Sequence, residues 1–100
     1  MKRTAIFINT ARGLIHNEKD LIDALNERVI WGAGLDVTEP EPMKSNNPLL
    51  SMENVAVLPH IGSATIEART AMARLSAENI VHGLRGVRLP NIVNAELYSR

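Results

Sequence analysis

Side chains suited to acid–base and anion chemistry follow each of three short apolar runs in this 100-residue sequence. Arg12 follows the first run, and His60 follows the third. Asp36 comes after Leu35 at the end of the second run, and Glu39 and Glu41 follow that run. The planar fork of an arginine suits a carboxylate or a phosphate, and an imidazole suits proton transfer near neutral pH. A carboxylate beside the imidazole would stabilise its protonated form.

Each of these residues, taken alone, also has an ordinary structural interpretation. Arg12 could be a surface or ion-pair residue, and His60 could be a half-buried histidine satisfied by hydrogen bonds. Glu39 and Glu41 flank a proline and could form a solvated loop, while Asp36 could cap a turn. A functional site is favoured by their shared position after apolar runs, because ligands of an open parallel sheet bind beyond the carboxyl ends of its strands.

The three apolar runs predict strands at residues 4–8, 29–37 and 55–58. Their continuous apolar character is typical of strands that are buried on both faces. Gly32 and Gly34 lie within the second run and indicate a close approach of another backbone or helix. Because a predicted helix separates the first two strands, the pattern favours a parallel α/β sheet.

Two helices complete a predicted order of β–α–β–loop–β–α. The first helix is expected near residues 17–27, with Asn17 as its N-terminal cap and one apolar stripe. The second is a long helix over residues 64–84. Prolines and small polar residues predict a loop over 38–54, and residues 87–100 read as an irregular closing segment.

Composition excludes several classes of function. Eleven basic and eleven acidic residues cancel, which argues against a nucleic-acid-binding protein and against a polybasic membrane-binding surface. The absence of cysteine excludes disulfides, thiolate zinc sites and cysteine nucleophiles, and is consistent with a cytoplasmic location. No histidine spacing is typical of a metal site, so no metal is expected. Gly62 and Ser63 precede the long helix, where free backbone N–H groups could bind an anion.

The sequence resembles the C-terminal part of the D-isomer-specific 2-hydroxyacid dehydrogenases, and within that family most of all the glyoxylate and hydroxypyruvate reductase branch. The resemblance covers nearly the whole chain, and several motifs in the family's order make it specific. These motifs are AIFINTARG at 5–13, GAGLDVTEPEP at 32–42, NPLL at 47–50, LPHIGSAT at 58–65 and GLRG at 83–86.

This resemblance implies the C-terminal part of a Rossmann-like dinucleotide-binding domain over residues 1–62. Residues 63–100 would form a long helix and a tail that returns toward a substrate domain. The implied cofactor is NAD or NADP, and the implied substrate is a small 2-oxo or 2-hydroxy acid. A homodimer, or an assembly with the N-terminal part of such an enzyme, is the implied form.

The resemblance also implies roles for individual side chains. Arg12 would hold the substrate carboxylate, His60 would give a proton to the carbonyl oxygen, and Glu41, rather than Glu39, would partner that histidine. The residues implied to contact the cofactor are Thr10, Ala11, Arg12, Asp36, His60, Gly62 and Ser63.

The sequence departs from the family pattern in one respect. It contains no G-x-G-x-x-G turn, the motif that holds a dinucleotide's pyrophosphate, and it resembles roughly the last third of such an enzyme. We therefore expect the isolated chain to be incomplete. Two alternatives stay open: a non-catalytic remnant or oligomerising module, and a small anion-binding domain that uses Arg12 and the start of the long helix.

Overall fold

The computed structural model describes residues 1–98. The chain divides into two compact units, Met1–Gly62 and Ser63–Arg100. The first unit contains the sheet, and the second contains the long helix and the tail. The last two residues of the predicted closing segment lie outside the described residues.

The first unit contains a three-stranded parallel sheet, which confirms the predicted α/β fold. Its strands are β1 (Ile6–Asn9), β2 (Gly32–Leu35) and β3 (Val55–Val57), in the spatial order β1-β2-β3. Asn9 pairs with Leu35, and Leu35 pairs with Val57. The three carboxyl ends are therefore aligned at one edge of the sheet, where the sequence places its chemically useful side chains.

One helix in this unit packs on the sheet. Helix α1 (Glu18–Asn26) begins at the predicted cap, because the Asn17 side chain accepts a hydrogen bond from the Asp20 N–H at 3.3 Å. The buried core joins this helix to the sheet and to a loop residue, and comprises Leu21, Leu25, Ile30, Ala33, Leu35 and Leu49. Burial of this apolar stripe, more than helix propensity, is what stabilises a helix of nine residues.

The loop between β2 and β3 contains a short 3-10 helix, Pro48–Ser51, which the sequence did not indicate. Asn47 caps it by accepting a hydrogen bond from the Leu49 N–H at 2.9 Å. The same asparagine donates to Glu18 of α1 at 2.8 Å, and Leu49 is 1% exposed. The Pro-rich loop is therefore fixed to the core at its middle.

Strands β1 and β3 are not buried on both faces, so that expectation is wrong for these two strands: Ala56, in the middle of β3, is exposed. Ile6 and Ile8 are 53% and 68% exposed, whereas Ala5 and Phe7 pack against the core. Alternation along a strand sends these pairs to opposite faces. Within residues 1–62, α1 is the only α-helix, and it covers one face.

The second unit consists mainly of helix α2 (Ile66–Leu84), which confirms the predicted long helix. Its cap is Thr65, whose hydroxyl accepts from the Ala68 N–H at 3.1 Å. Gly86 follows its end at φ +66°, a conformation that glycine adopts at little cost. Among the described residues, no helix is long and apolar enough to cross a membrane.

Candidate active site

His60 and Glu41 form the closest pair of chemically useful side chains at the carboxyl edge of the sheet. The His60 Nδ1 lies 2.5 Å from the Glu41 Oε1. Both side chains are partly open to solvent, at 40% and 41% exposure. Glu41, not Glu39, is therefore the acid that the fold brings to the histidine. Because Nδ1 faces the carboxylate, Nε2 is the ring nitrogen left to meet a ligand.

His60 has an unusual backbone conformation. Its φ is +56°, in the left-handed region that costs a residue with a side chain roughly 1–2 kcal/mol. Such strain persists only where neighbouring contacts enforce it. The two residues that follow, Ile61 and Gly62, supply those contacts through their backbone N–H groups.

Asp36 receives both of those N–H groups. Ile61 donates to Oδ1 and Gly62 donates to Oδ2, each at 2.8 Å. The aspartate is 6% exposed, so its charge is removed from water and compensated by these charge-assisted bonds. The structure thus assigns Asp36 a direct contact with the loop that carries His60.

The N–H of Gly62 is not free to bind an anion, contrary to the expectation for the segment before the long helix. It is already used by Asp36, and α2 begins only at Ile66. The side chain of Thr65 caps that helix. Ser63 belongs to the second unit.

The segment that carries Glu41, here called the acidic loop (residues 38–42), is fixed by two contacts. The Thr38 hydroxyl donates to the Pro40 carbonyl at 3.0 Å, and Thr38 is buried. A Cβ placed on Gly13 would lie 2.3 Å from the Thr38 carbonyl carbon and oxygen. Only glycine permits this approach, so the segment after β1 packs directly on the acidic loop.

Arg12 lies on that segment after β1, which Asn9 organises. The buried Asn9 side chain accepts from the Ala11 N–H at 3.0 Å and donates to the Arg12 carbonyl at 2.8 Å. Its amide nitrogen also lies 3.0 Å from the His16 Nδ1. The Arg12 guanidinium donates to the Ala11 carbonyl at 2.6 Å and is exposed, while Thr10 is exposed nearby.

A cavity of about 250 Å³ lies beside the His60–Glu41 pair. Its polar lining includes Asp36 and Thr38, and its apolar lining includes Met43 and Leu58. Among the described residues, neither Arg12 nor Glu39 lines it. A larger depression of about 790 Å³ lies near the amino ends of the strands, beside Arg3, Trp31 and Asn54. It contains none of the predicted site residues.

The sequence did not identify Asn9 as part of the site. The structure buries Asn9 at 5% exposure, and His16 is half-buried, with its ring 5.2 Å from that of Phe7. A polar residue that ends an apolar strand was the available signal, since a buried amide must be paired. Among the described residues, no cluster of three or more histidines and acids could hold a metal ion.

The fold and the edge-of-sheet site define a class of protein. Parallel strands with polar side chains gathered beyond their carboxyl ends are typical of α/β domains that bind a ligand at that end of the sheet. Residues 1–62 match the family described as D-isomer specific 2-hydroxyacid dehydrogenase, NAD binding domain. The chain belongs to this family, as the sequence motifs predicted.

The chain is similar to reductases over most of its length. It is 52% identical over 91 residues to a human glyoxylate reductase/hydroxypyruvate reductase, covering 91% of this chain and 28% of that protein. It is 54% identical over 97 residues to a glyoxylate reductase of Pyrococcus furiosus, covering 97% of this chain and 29% of that protein.

A solved structure shares the same fold. A D-isomer specific 2-hydroxyacid dehydrogenase from Xanthobacter autotrophicus Py2, in complex with NADPH and MES, superimposes with a TM-score of 0.79 at 42% identity. The match covers 97% of this chain and 39% of that structure. The chain therefore spans less than half the length of the proteins it matches.

Proposed function

We propose that this chain carries the acid–base centre of a 2-hydroxyacid dehydrogenase that uses NAD or NADP and reduces a small 2-oxo acid such as glyoxylate or hydroxypyruvate. The observation that carries the proposal is the 2.5 Å contact between His60 Nδ1 and Glu41 Oε1 at the carboxyl edge of the sheet. The reductases similar to this chain supply the reaction class.

His60 is the proton donor in this proposal. Glu41 accepts the hydrogen bond from Nδ1, and this contact orients the ring so that Nε2 faces the ligand. The proton at Nε2 then passes to the carbonyl oxygen of the 2-oxo acid, which leaves the Glu41-bonded imidazole neutral. Positioned proton transfer of this kind contributes about 10²–10⁴-fold to a rate.

Arg12 is proposed to bind the substrate carboxylate. One of its guanidinium nitrogens donates to the Ala11 carbonyl, and its remaining N–H groups are available for a paired contact with a carboxylate. Asn9 and Gly13 fix the backbone on either side of this arginine, which lowers the entropy lost when the substrate is held.

The residues at this edge fit the nicotinamide end of a dinucleotide. Asp36 uses one lone pair of each oxygen on backbone N–H groups and keeps acceptor capacity for an amide. Thr10, Ala11, Gly62 and Ser63 are the other residues proposed to meet the cofactor, which when bound supplies the hydride. The chain offers no Gly-rich turn for the pyrophosphate, so we assign that contact to another part of the enzyme.

The remaining features of the proposal concern the whole protein. We propose that residues 63–100 return toward a substrate domain and that the working form is a homodimer, or an assembly with the N-terminal part of the enzyme. A cytoplasmic location is proposed from the absence of cysteine.

The first experiment measures oxidation of NADH and of NADPH by the purified chain, with glyoxylate or hydroxypyruvate as substrate. The same assay is run on a chimera in which this chain replaces the matching segment of the Pyrococcus furiosus reductase, to which it is 54% identical. His60→Gln is the test variant, and His82→Gln, on α2, is the matched control.

We expect the chimera to turn over, His82→Gln to keep its rate, and His60→Gln to lose about 10²-fold or more. Turnover by the isolated chain, lost in His60→Gln, would also support the proposed acid–base role. A folded His60→Gln chimera that keeps its full rate would refute that role.

A second candidate function is that of a non-catalytic oligomerising module. It is favoured by the exposure of Ile6 and Ile8 on β1, a strand at the edge of the sheet, since such edges pair readily with other chains. Self-association that increases with concentration in sedimentation experiments would favour this function, if Ile8→Lys abolishes the association and NADPH leaves it unchanged. A monomer at all concentrations would exclude it.

A further inference from the structure

We propose that Asp36 is a positioning residue that holds His60 in its working geometry through the backbone of Ile61 and Gly62. The inference rests on the proposed function, because it gives His60 the acid–base role. It assigns to Asp36 an action on the chain's own histidine loop (residues 58–62), beyond the contact with the cofactor that the family resemblance implies.

The first observation is that both carboxylate oxygens are engaged. Oδ1 accepts from Ile61 and Oδ2 accepts from Gly62, each at 2.8 Å. Asp36 directly follows β2, and its own N–H donates to the Asn9 carbonyl at 3.0 Å. The carboxylate therefore extends from the rigid sheet and anchors two consecutive amides of the histidine loop.

The second observation is the backbone of His60. A φ of +56° is unfavourable for a residue with a side chain, and it needs external contacts to persist. The only side-chain hydrogen bonds to the backbone of the histidine loop within residues 1–62 are those from Asp36. The anchoring begins at the very next residue, so it directly restrains the ψ of His60 and the direction of its ring.

The third observation is that one of the two residues of the histidine loop that donate to the Asp36 carboxylate is a glycine, Gly62. A Cβ built at Gly62 would lie 2.9 Å from the Asp36 Oδ2, closer than such contacts normally come. The contact between Asp36 and the histidine loop therefore depends on both residues, and a substitution at either position tests it. The φ of Gly62 is not positive, so a Cβ added here would act through its contact with the Asp36 carboxylate.

The fourth observation concerns where the restrained ring points. His60 Nδ1 meets Glu41 on the acidic loop, and that loop is fixed separately by Thr38 and Gly13. Two loops from neighbouring strands must be held independently for this contact to form. If Asp36 releases the histidine loop, Glu41 stays in place but loses its partner.

The test follows the His60 ring by NMR in the 100-residue chain, through the chemical shift of its Cε1–H at one fixed pH. The variants are Asp36→Asn and Gly62→Ala, with Glu41→Gln as the reference for a ring without its acid. Asp23→Asn, on the exposed side of α1, is the matched control. Circular dichroism and the dispersed NMR amide signals of the three strands check that each variant remains folded.

We expect the His60 Cε1–H chemical shifts of Asp36→Asn and Gly62→Ala to move from the wild-type value toward that of Glu41→Gln, because the ring loses its contact with the carboxylate. Asp23→Asn should match the wild type. The amide protons of Ile61 and Gly62 should also move upfield in Asp36→Asn, since they lose a charged acceptor. Folded Asp36→Asn and Gly62→Ala chains whose His60 Cε1–H chemical shifts match the wild type would overturn the proposal.

This experiment does not depend on turnover. If the His60 chemical shifts move as expected but the His60→Gln chimera keeps its rate, the positioning inference stands and the acid–base role fails. If Asp36→Asn does not fold, the chemical shift of Gly62→Ala decides the matter, because that change keeps the aspartate and its charge.

Discussion

Adding one methyl group to Gly13 should strongly destabilise the first unit. In Gly13→Ala the new Cβ would lie 2.3 Å from the carbonyl carbon and oxygen of Thr38 and 2.7 Å from the nitrogen of Glu39. All three atoms are backbone, so no side chain can rotate away. Overpacking of a folded interior costs about 1–3 kcal/mol, and a three-atom backbone clash belongs at the upper end of that range.

A loss of about 3 kcal/mol is a large part of the 5–15 kcal/mol by which domains are stable. With a urea m-value of about 1–3 kcal/mol per M, the unfolding midpoint should fall by roughly 1–3 M. Loss of the dispersed NMR amide signals of the three strands reports unfolding of this unit. The His60–Glu41 contact should be lost with the displaced acidic loop, which the Cε1–H chemical shift of His60 would also detect.

Gly34→Ala is the matched control for this prediction. Its Cβ would meet only the Ile8 Cγ1, at 3.9 Å, which is an ordinary contact. Because alanine loses less conformational freedom than glycine on folding, this variant should be as stable as the wild type or more so by about 0.5–1 kcal/mol. Equal urea midpoints for Gly13→Ala and Gly34→Ala would refute the packing described for the acidic loop.

Three further predictions concern stability. Leu49→Ala should cost about 2–5 kcal/mol of unfolding free energy, since the leucine is 1% exposed and joins the loop to the core; the urea midpoint measures it, and a loss below about 1 kcal/mol would contradict this. Asn9→Ala should cost about 1–3 kcal/mol, because the Ala11 N–H loses its buried partner; an unchanged melting temperature would contradict it. The pKa of Lys19 is raised above 10.5 by the hydrogen bond and charge of Asp23. The Lys19–Asp23 pair therefore contributes its full stabilisation below pH 10.5, and this stabilisation is lost as the pH rises through the raised pKa of Lys19. The melting temperature of Asp23→Asn should thus differ from that of the wild type only at pH values below the raised pKa. A difference in melting temperature that grows at higher pH would contradict this assignment.

The sequence was sufficient to predict the parallel sheet and the edge that carries the site. Apolar runs mark strands, and Asn17 marks the start of a helix, because both depend on local patterns. The common position of Arg12, Asp36 and His60 after three strands then follows from the parallel arrangement alone.

The detailed geometry of the site could not be predicted from such patterns. Which of two acids reaches His60 depends on the path of the acidic loop, which is set by the backbone contact at Gly13 and by Leu49 in the core. These are contacts between residues far apart in the sequence. The same holds for Asp36, whose partners lie 25 and 26 positions away.

The exposure of β1 shows the opposite limit of pattern reasoning. The run around Ile6 and Ile8 is as apolar as a doubly covered strand, yet one face is exposed in this chain. An apolar run indicates that a strand is suited to burial, but it does not identify the segment that covers the strand.

A double-mutant cycle tests most directly whether His60 and Glu41 act as one proton-transfer unit. The measurement is kcat/KM for hydroxypyruvate in the active chimera and in its Glu41→Gln, His60→Gln and double variants. Because Glu41 acts through His60, the double variant should be no slower than His60→Gln alone. Losses that instead multiply in the double variant would contradict the claim and assign the two residues separate roles.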